Sequence, residues 1–169
     1  MPDLYVAFYR GSGTAFDWVT RKITRSDFSH CELVVLDRAP EDGACAVCVS
    51  SSSRDGGVRD KEITFDTGKW EFVRVDWAPG NAWATAMKEK KKGYDHLALV
   101  TSHFFNWRFG WPGRWFCSEL CAHALGLDMP HTYAPGDLYR HLLEKERVSN
   151  RVLRETHGRR GGGRKRGWL

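Results

Sequence analysis

Two short stretches of this chain carry side chains able to do covalent chemistry together. The first is Ser29-His30-Cys31-Glu32-Leu33-Val34-Val35, a β-rich run whose alternation puts His30 and Glu32 on one face and Cys31 and Leu33 on the other. An imidazole and a carboxylate are therefore neighbours. The second is Trp115-Phe116-Cys117-Ser118-Glu119-Leu120-Cys121, where Cys117 stands at the start of an apolar helix. Unpaired amide groups and the dipole at a helix start favour a thiolate there. A thiolate beside a histidine that a carboxylate steadies is the arrangement covalent acyl transfer requires, with nearby backbone amides available to hold an oxyanion. Cys121 competes as nucleophile one turn later, but beyond the first turn neither the dipole nor free amides help it. Taken singly, each residue also has a plainer reading, His30 as a half-buried sheet histidine and Cys117 as a small residue packing a helix.

The chain has five cysteines, Cys31, Cys45, Cys48, Cys117 and Cys121, which cannot all pair. Free thiols in a reducing compartment are expected. Cys45-x-x-Cys48 lies in Ala44-Cys45-Ala46-Val47-Cys48-Val49-Ser50, which reads as a buried strand. On a strand, positions 45 and 48 face opposite sides. Small buried cysteines are the preferred reading. A zinc site drawn from Cys45, Cys48, Cys117 and Cys121 is the alternative that two pairs of thiols leave open.

The elements that must position these residues alternate in type. Leu4 to Tyr9 reads as a strand, and Thr14 to Ile23 as a helix with Thr14 as N-cap and Phe16, Val19 and Ile23 at helical spacing. His30 to Leu36 and Ala44 to Ser50 form a hairpin around the turn signal of residues 37–43. Gly56-Gly57 breaks the chain before strands at Val58 to Phe65 and Glu71 to Val75. Asn81 to Lys92 is a helix that Gly93 stops. Trp115 to Leu125 is a buried helix capped by Gly126, and Pro135-Gly136-Asp137 opens a last helix over about Leu138 to Arg147. The fold class is α+β, an antiparallel sheet with helices packed on it and the nucleophile at a helix N-terminus.

At 169 residues and 41% hydrophobic, the chain has enough apolar mass for one ordinary domain, so two full domains and general disorder are excluded. Charge divides it. Residues 151–169 hold seven Lys/Arg and one acid, a balance of +6, so the net +5 leaves −1 for residues 1–150. A catalytic body over residues 1–148 and a flexible basic arm over residues 149–169 are expected. The arm's run from Arg159 to Arg166 suits weak contact with nucleic acid or an acidic surface, or serves only solubility. No uncharged stretch reaches the roughly 20 residues of a bilayer span; Leu97 to Trp107 is the best candidate. Met1-Pro2-Asp3-Leu4 reads as the approach to a first strand, not a secretory signal, so a cytoplasmic location is expected.

In order, Ser29-His30 opening an apolar strand, Gly93-Tyr94-Asp95, Phe116-Cys117-Ser118-Glu119-Leu120 and Pro135-Gly136-Asp137-Leu138 resemble the circularly permuted branch of the NlpC-type papain-like thiol hydrolases, related to the lecithin retinol acyltransferase group. The likeness covers about residues 4–140, with histidine before cysteine as in the permuted order. It implies a permuted papain-like fold, a Cys117 nucleophile, a His30 base and a polar third residue that fixes the imidazole. In such enzymes that residue usually stands on the next strand, yet Ala44 to Ser53 offers only cysteines and serines. Glu32 takes the role if its carboxylate bends back along its own strand, and Asp55 is the second choice. The resemblance also points Tyr94 toward the thiolate or the oxyanion, with a core role as the alternative. Asp95 then braces the nearby backbone. Arg54 and Arg59 are candidates to hold a substrate carboxylate, and Trp115 adjoins the cysteine box as a further substrate-binding candidate. The aromatic segment 104–112 forms either a cleft wall or a packed connection. The expected function is a cysteine-dependent peptidase, amidase or acyltransferase acting on a cell-wall peptide or a lipid-like amide or ester, with no metal or cofactor. The alternative is a catalytically weak binding module whose basic tail engages nucleic acid or an acidic protein.

Overall fold

Strand β1 (Asp3–Tyr9) buries Val6 and Phe8 on one face and Tyr5 and Ala7 on the other, so it belongs inside a sheet covered on both sides. The computed structural model describes the backbone over residues 2–11, 15–94 and 114–160, and the side chains over the same spans except 15, 16, 23, 94 and 152–160. After β1 come α1 (Ala15–Thr24), β2 (His30–Leu36), β3 (Cys45–Ser52), β4 (Gly57–Thr64) and β5 (Trp70–Arg74). Helix α2 (Ala82–Lys88) leads to the short β6 (Gly93–Tyr94). Then β7 (Arg114–Trp115) feeds α3 (Cys117–Ala124), a 3-10 turn (Pro130–Thr132) and the long α4 (Pro135–Arg160). The strands order as β5-β1-β2-β3-β4-β6-β7, antiparallel except for the terminal β6/β7 pair. The α+β class, an antiparallel sheet with helices packed on it, is as the sequence predicts.

This sheet is curled. On a flat sheet β4 and β5 would stand four strand spacings apart, roughly 19 Å. Only residues 65–69 join them, and the Lys69 and Trp70 amides close a turn on the Asp66 carbonyl at 2.8 and 3.0 Å. Strands β4 and β5 must therefore approach each other. Phe65 seals the inside, its ring 5.2 Å from Trp70 and 4.9 Å from Phe72, over a small core of Tyr5, Ala7, Val34, Leu36 and Cys48. The larger core lies on the outer face, where Val6, Phe8, Cys31, Leu33 and Val49 meet Phe116, Leu120 and Cys121 of the α3 segment.

Several boundaries differ from the sequence reading. Strand β3 runs two residues further, to Ser52, because Ser51 and Ser52 pair with Val58 and Gly57 across the β3/β4 hairpin. Helix α2 ends at Lys88, not Lys92. The Lys92 carbonyl accepts from Val58 N at 2.9 Å, and Lys91 takes a left-handed φ of 72°, so β4 draws the chain out of the helix before Gly93. Trp115 belongs to β7, opposite Tyr94, and α3 begins only at Cys117. The last helix, expected over 138–147, spans Pro135–Arg160 because residues 149–157 contain neither glycine nor proline. The domain boundary expected at 148 therefore falls inside it, and the expected arm is helical as far as Arg160. Thr14, Asp95, the aromatic segment 104–112 and residues 161–169 lie outside the described residues. Among the described residues no helix is long and apolar enough to cross a membrane.

Candidate active site

His30 is the first residue of β2 and pairs with Tyr9, the last of β1, so the imidazole stands at the end of the curled sheet. Ser29 fixes this corner: its amide donates to Tyr9 O at 3.0 Å, and its hydroxyl donates to the buried Asp17 of α1 at 3.1 Å. Cys117 is the first residue of α3 and fully buried. The helix starts there because Phe116 is extended, with φ −90° and ψ 155°, and because the Phe116 amide donates to Glu119 Oε2 at 3.3 Å, half of a capping box. The amides of Cys117 and Ser118 lie in the first turn, where a helix has no acceptor of its own. At the other end Gly126, with φ 68°, and Leu127 donate to the carbonyls of His123 and Ala122, each at 3.0 Å. That Schellman closure explains why glycine ends this helix.

The Cys117 and His30 side chains meet directly, and each shapes the ionisation of the other. Burial opposes a Cys117 thiolate, but the Cys31 thiol, which hydrogen-bonds to it, and the His30 imidazolium outweigh burial and hold its pKa below the ordinary thiol value. Burial also opposes the imidazolium, yet the Cys117 thiolate and the Glu32 carboxylate raise the His30 pKa above the ordinary histidine value. The two shifts favour a thiolate–imidazolium pair at neutral pH.

Glu32 Oε1 lies 2.8 Å from His30 Nε2, which leaves Nδ1 as the ring nitrogen able to serve the sulfur. The carboxylate bends back along its own strand, and its residue is wholly buried. Arg59 of β4 grips it from the far side: Nη2 donates to Oε1 at 2.6 Å and Nη1 to Oε2 at 2.7 Å. Burial would raise the Glu32 carboxyl, but the Arg59 fork and the imidazole hold it below its ordinary value. Asp55, the second choice, accepts instead from Arg59 Nε at 2.8 Å, and the partner of His30 Nε2 is Glu32. A cavity of about 370 Å³ opens on this side, walled by His30, Glu32, Arg59, Arg54, Tyr9 and Trp70.

The remaining sequence candidates are dispersed. Arg59 is committed to Glu32 and Asp55, not left open for a substrate carboxylate, because the strand register brings a buried acid to it. Arg54 stands at the cavity rim with its side chain 63% exposed, 4.0 Å from Asp17 Oδ1. Trp115 faces away: its indole donates to Glu89 Oε2 at 2.8 Å and its ring packs 4.8 Å from His123. The Tyr94 backbone pairs with Trp115, while its side chain lies outside the described set. The four thiols of the zinc alternative are not brought together. Cys45 is exposed beside Glu62, Cys48 is in the inner core, and Cys121 sits on the outer face with Cys31, their sulfurs 3.8 Å apart. Among the described residues no group of three or more metal-ligating side chains forms.

Sequence reasoning missed two kinds of support. Asp17 and Arg59 both carry partners that appear only when distant strands and helices are registered. The serine run after Cys48 is structural: Ser50 Oγ donates to Cys31 O at 2.6 Å, and Ser51 Oγ donates to Trp115 O at 2.7 Å, pinning the approach to Cys117 against β3. Compared with known proteins, the chain matches no family model, no curated protein and no solved structure.

Proposed function

We propose that this chain is a cysteine-dependent hydrolase or acyltransferase with Cys117 as nucleophile, His30 as acid and base, and Glu32 as the residue that orients the imidazole. The observation that carries the reading is the continuous contact from a helix-start thiol to an imidazole whose Nε2 lies 2.8 Å from a buried carboxylate. In this scheme the thiolate attacks an amide or ester carbonyl and a first-turn amide steadies the oxyanion. His30 gives its Nδ1 proton to the leaving group as the tetrahedral intermediate collapses to an acyl-enzyme. It then takes a proton from water, or from an acceptor hydroxyl or amine, which attacks the thioester and restores the thiolate. Glu32 keeps the ring in place throughout and offsets its charge.

The order of parts, a histidine strand before a cysteine helix beside a curled antiparallel sheet, supports a permuted papain-like fold of the NlpC type. It also supports the substrate class that resemblance carries, a peptide or an acyl amide or ester. Because Cys117 is fully covered, substrate reaches the sulfur only when the groups over it are displaced. Mass spectrometry after exposure to a panel of peptide, acyl-amide and ester substrates tests the reading. The expected result is an acyl mass on the peptide bearing Cys117, absent in Cys117→Ala. An acyl mass on Cys121, or turnover surviving in Cys117→Ala, sinks it.

A further inference from the structure

Glu32 has three side-chain torsions, and nothing in an isolated strand holds such a side chain folded back toward residue 30. We propose that Arg59 is a positioning residue for the Cys117 and His30 pair, locking Glu32, and through it the imidazole, in the orientation that proton transfer needs. The proposal rests on the catalytic reading above.

Three observations carry it. The first is the planar fit: two parallel N–H bonds at 2.6 and 2.7 Å fix both oxygens of Glu32, and with them the plane of the carboxylate. A third N–H is tied to Asp55 at 2.8 Å, so the fork is itself held from behind. The second is the register. Leu33 lies opposite Val49, which carries Glu32 toward Ser50, and Ser50 pairs with Arg59. The three form a row across β2, β3 and β4. Ser50 is small and its hydroxyl is turned to Cys31 O, so the arginine can cross the middle strand above it. The third is charge. A thiolate, an imidazolium and a buried carboxylate would leave one uncompensated negative charge out of water, and Arg59 cancels it. The other charged groups facing the row are Asp55, with Lys61 Nζ 3.8 Å behind it, Glu62 farther along the cavity wall, and Arg54 at the rim, 4.0 Å from Asp17 Oδ1.

The test is a pH titration of the Cys117 thiolate, read by ultraviolet absorbance as the difference between each protein and the same protein carrying Cys117→Ser. In the natural chain the midpoint falls below the free-thiol value of about 8.5. Arg59→Met raises it by about one pH unit or more, which leaves roughly tenfold less thiolate on the acid side. Arg59→Lys, which keeps the charge without the fork, raises it less. In a Glu32→Gln background, Arg59→Met adds little, because the carboxylate through which it acts is gone. Equal rises in both backgrounds, or no rise in the natural one, overturn the proposal. A midpoint at the ordinary thiol value in the natural chain overturns the catalytic reading and the proposal together, so the two failures are distinguished by the protein that shows them. If Arg59→Met does not fold, Arg59→Lys compared in the two backgrounds decides by the same criterion.

Discussion

A buried glutamate that accepts from both a histidine and an arginine ties the chemistry of this site to the stability of the sheet. Glu32→Gln leaves the Arg59 fork without its charged partner, and breaking a buried pair on one side costs about 3 kcal/mol. The sign of the pH dependence follows from the lowered Glu32 pKa. Such a carboxylate contributes stability that is complete above its unfolded value of about 4.3 and is lost as pH falls through its lower folded value. Urea unfolding of both proteins should therefore show the variant less stable at neutral pH, with the gap closing in acid. A gap unchanged down to the most acidic pH at which both fold would mean that the loss comes from packing. At this scale the sequence was informative wherever the signal was local. Strand alternation alone puts His30 and Glu32 on one face, and an apolar run alone puts Cys117 at a helix start. Arg59 was legible as a cation for a carboxylate, but that carboxylate was read as a substrate's, since its partner in the chain lies 27 positions away across two registers.

Elements place these residues through a few backbone positions with no room to spare. Gly57 ends the β3/β4 pairing opposite Ser52 and begins the β4/β6 pairing opposite Gly93. Its φ is 151°, and a Cβ there would stand 2.0 Å from the Lys92 carbonyl oxygen. Gly56, one residue earlier, has φ 79° with nothing within 4 Å of its missing Cβ. Alanine at 56 meets only the left-handed penalty of about 1 kcal/mol. Alanine at 57 must also push β6 away, and should lose roughly 3 kcal/mol, in the range of mutations that strain a special backbone site. Because β6 pairs with β7 just before Cys117, Gly57→Ala should also raise the thiolate midpoint while Gly56→Ala leaves it alone. Equal destabilisation of the two variants in thermal unfolding would show that β6 is not held here. The sequence marked Gly56-Gly57 only as a break, because the close approach of Lys92 is a tertiary contact. Strand β2 has the expected bounds since its apolar run is bordered by strong turn signals. Helix α2 does not, because Val58 competes for its last turn.

Across the whole molecule, charge and packing divide along the length of α4. Leu138 and Leu142 are buried, and Lys145 Nζ sits 4.6 Å over the Trp77 ring, but Val148 is half exposed and Arg151 is exposed. The buried side chains described in α4 therefore all lie before Val148. Composition marked the basic run from residue 151 without showing that the chain stays helical as far as Arg160. Deleting Arg151 to Leu169 removes seven bases and one acid and leaves a body of net charge −1. Because the buried Leu138 and Leu142 both remain, the truncated protein should unfold within about 0.5 kcal/mol of the full chain, as surface changes do, and should keep its thiolate midpoint. Binding to a polyanion should behave differently. If the basic run meets phosphates, the full chain holds single-stranded nucleic acid at low salt and releases it steeply, with log affinity falling by about 0.7 per log unit of salt for each phosphate contacted. The truncated body, with its slight negative balance, should not bind at any salt concentration. Fluorescence anisotropy of a labelled oligonucleotide against both chains measures this, and equal binding by the two would move the basic surface off the arm and onto the body.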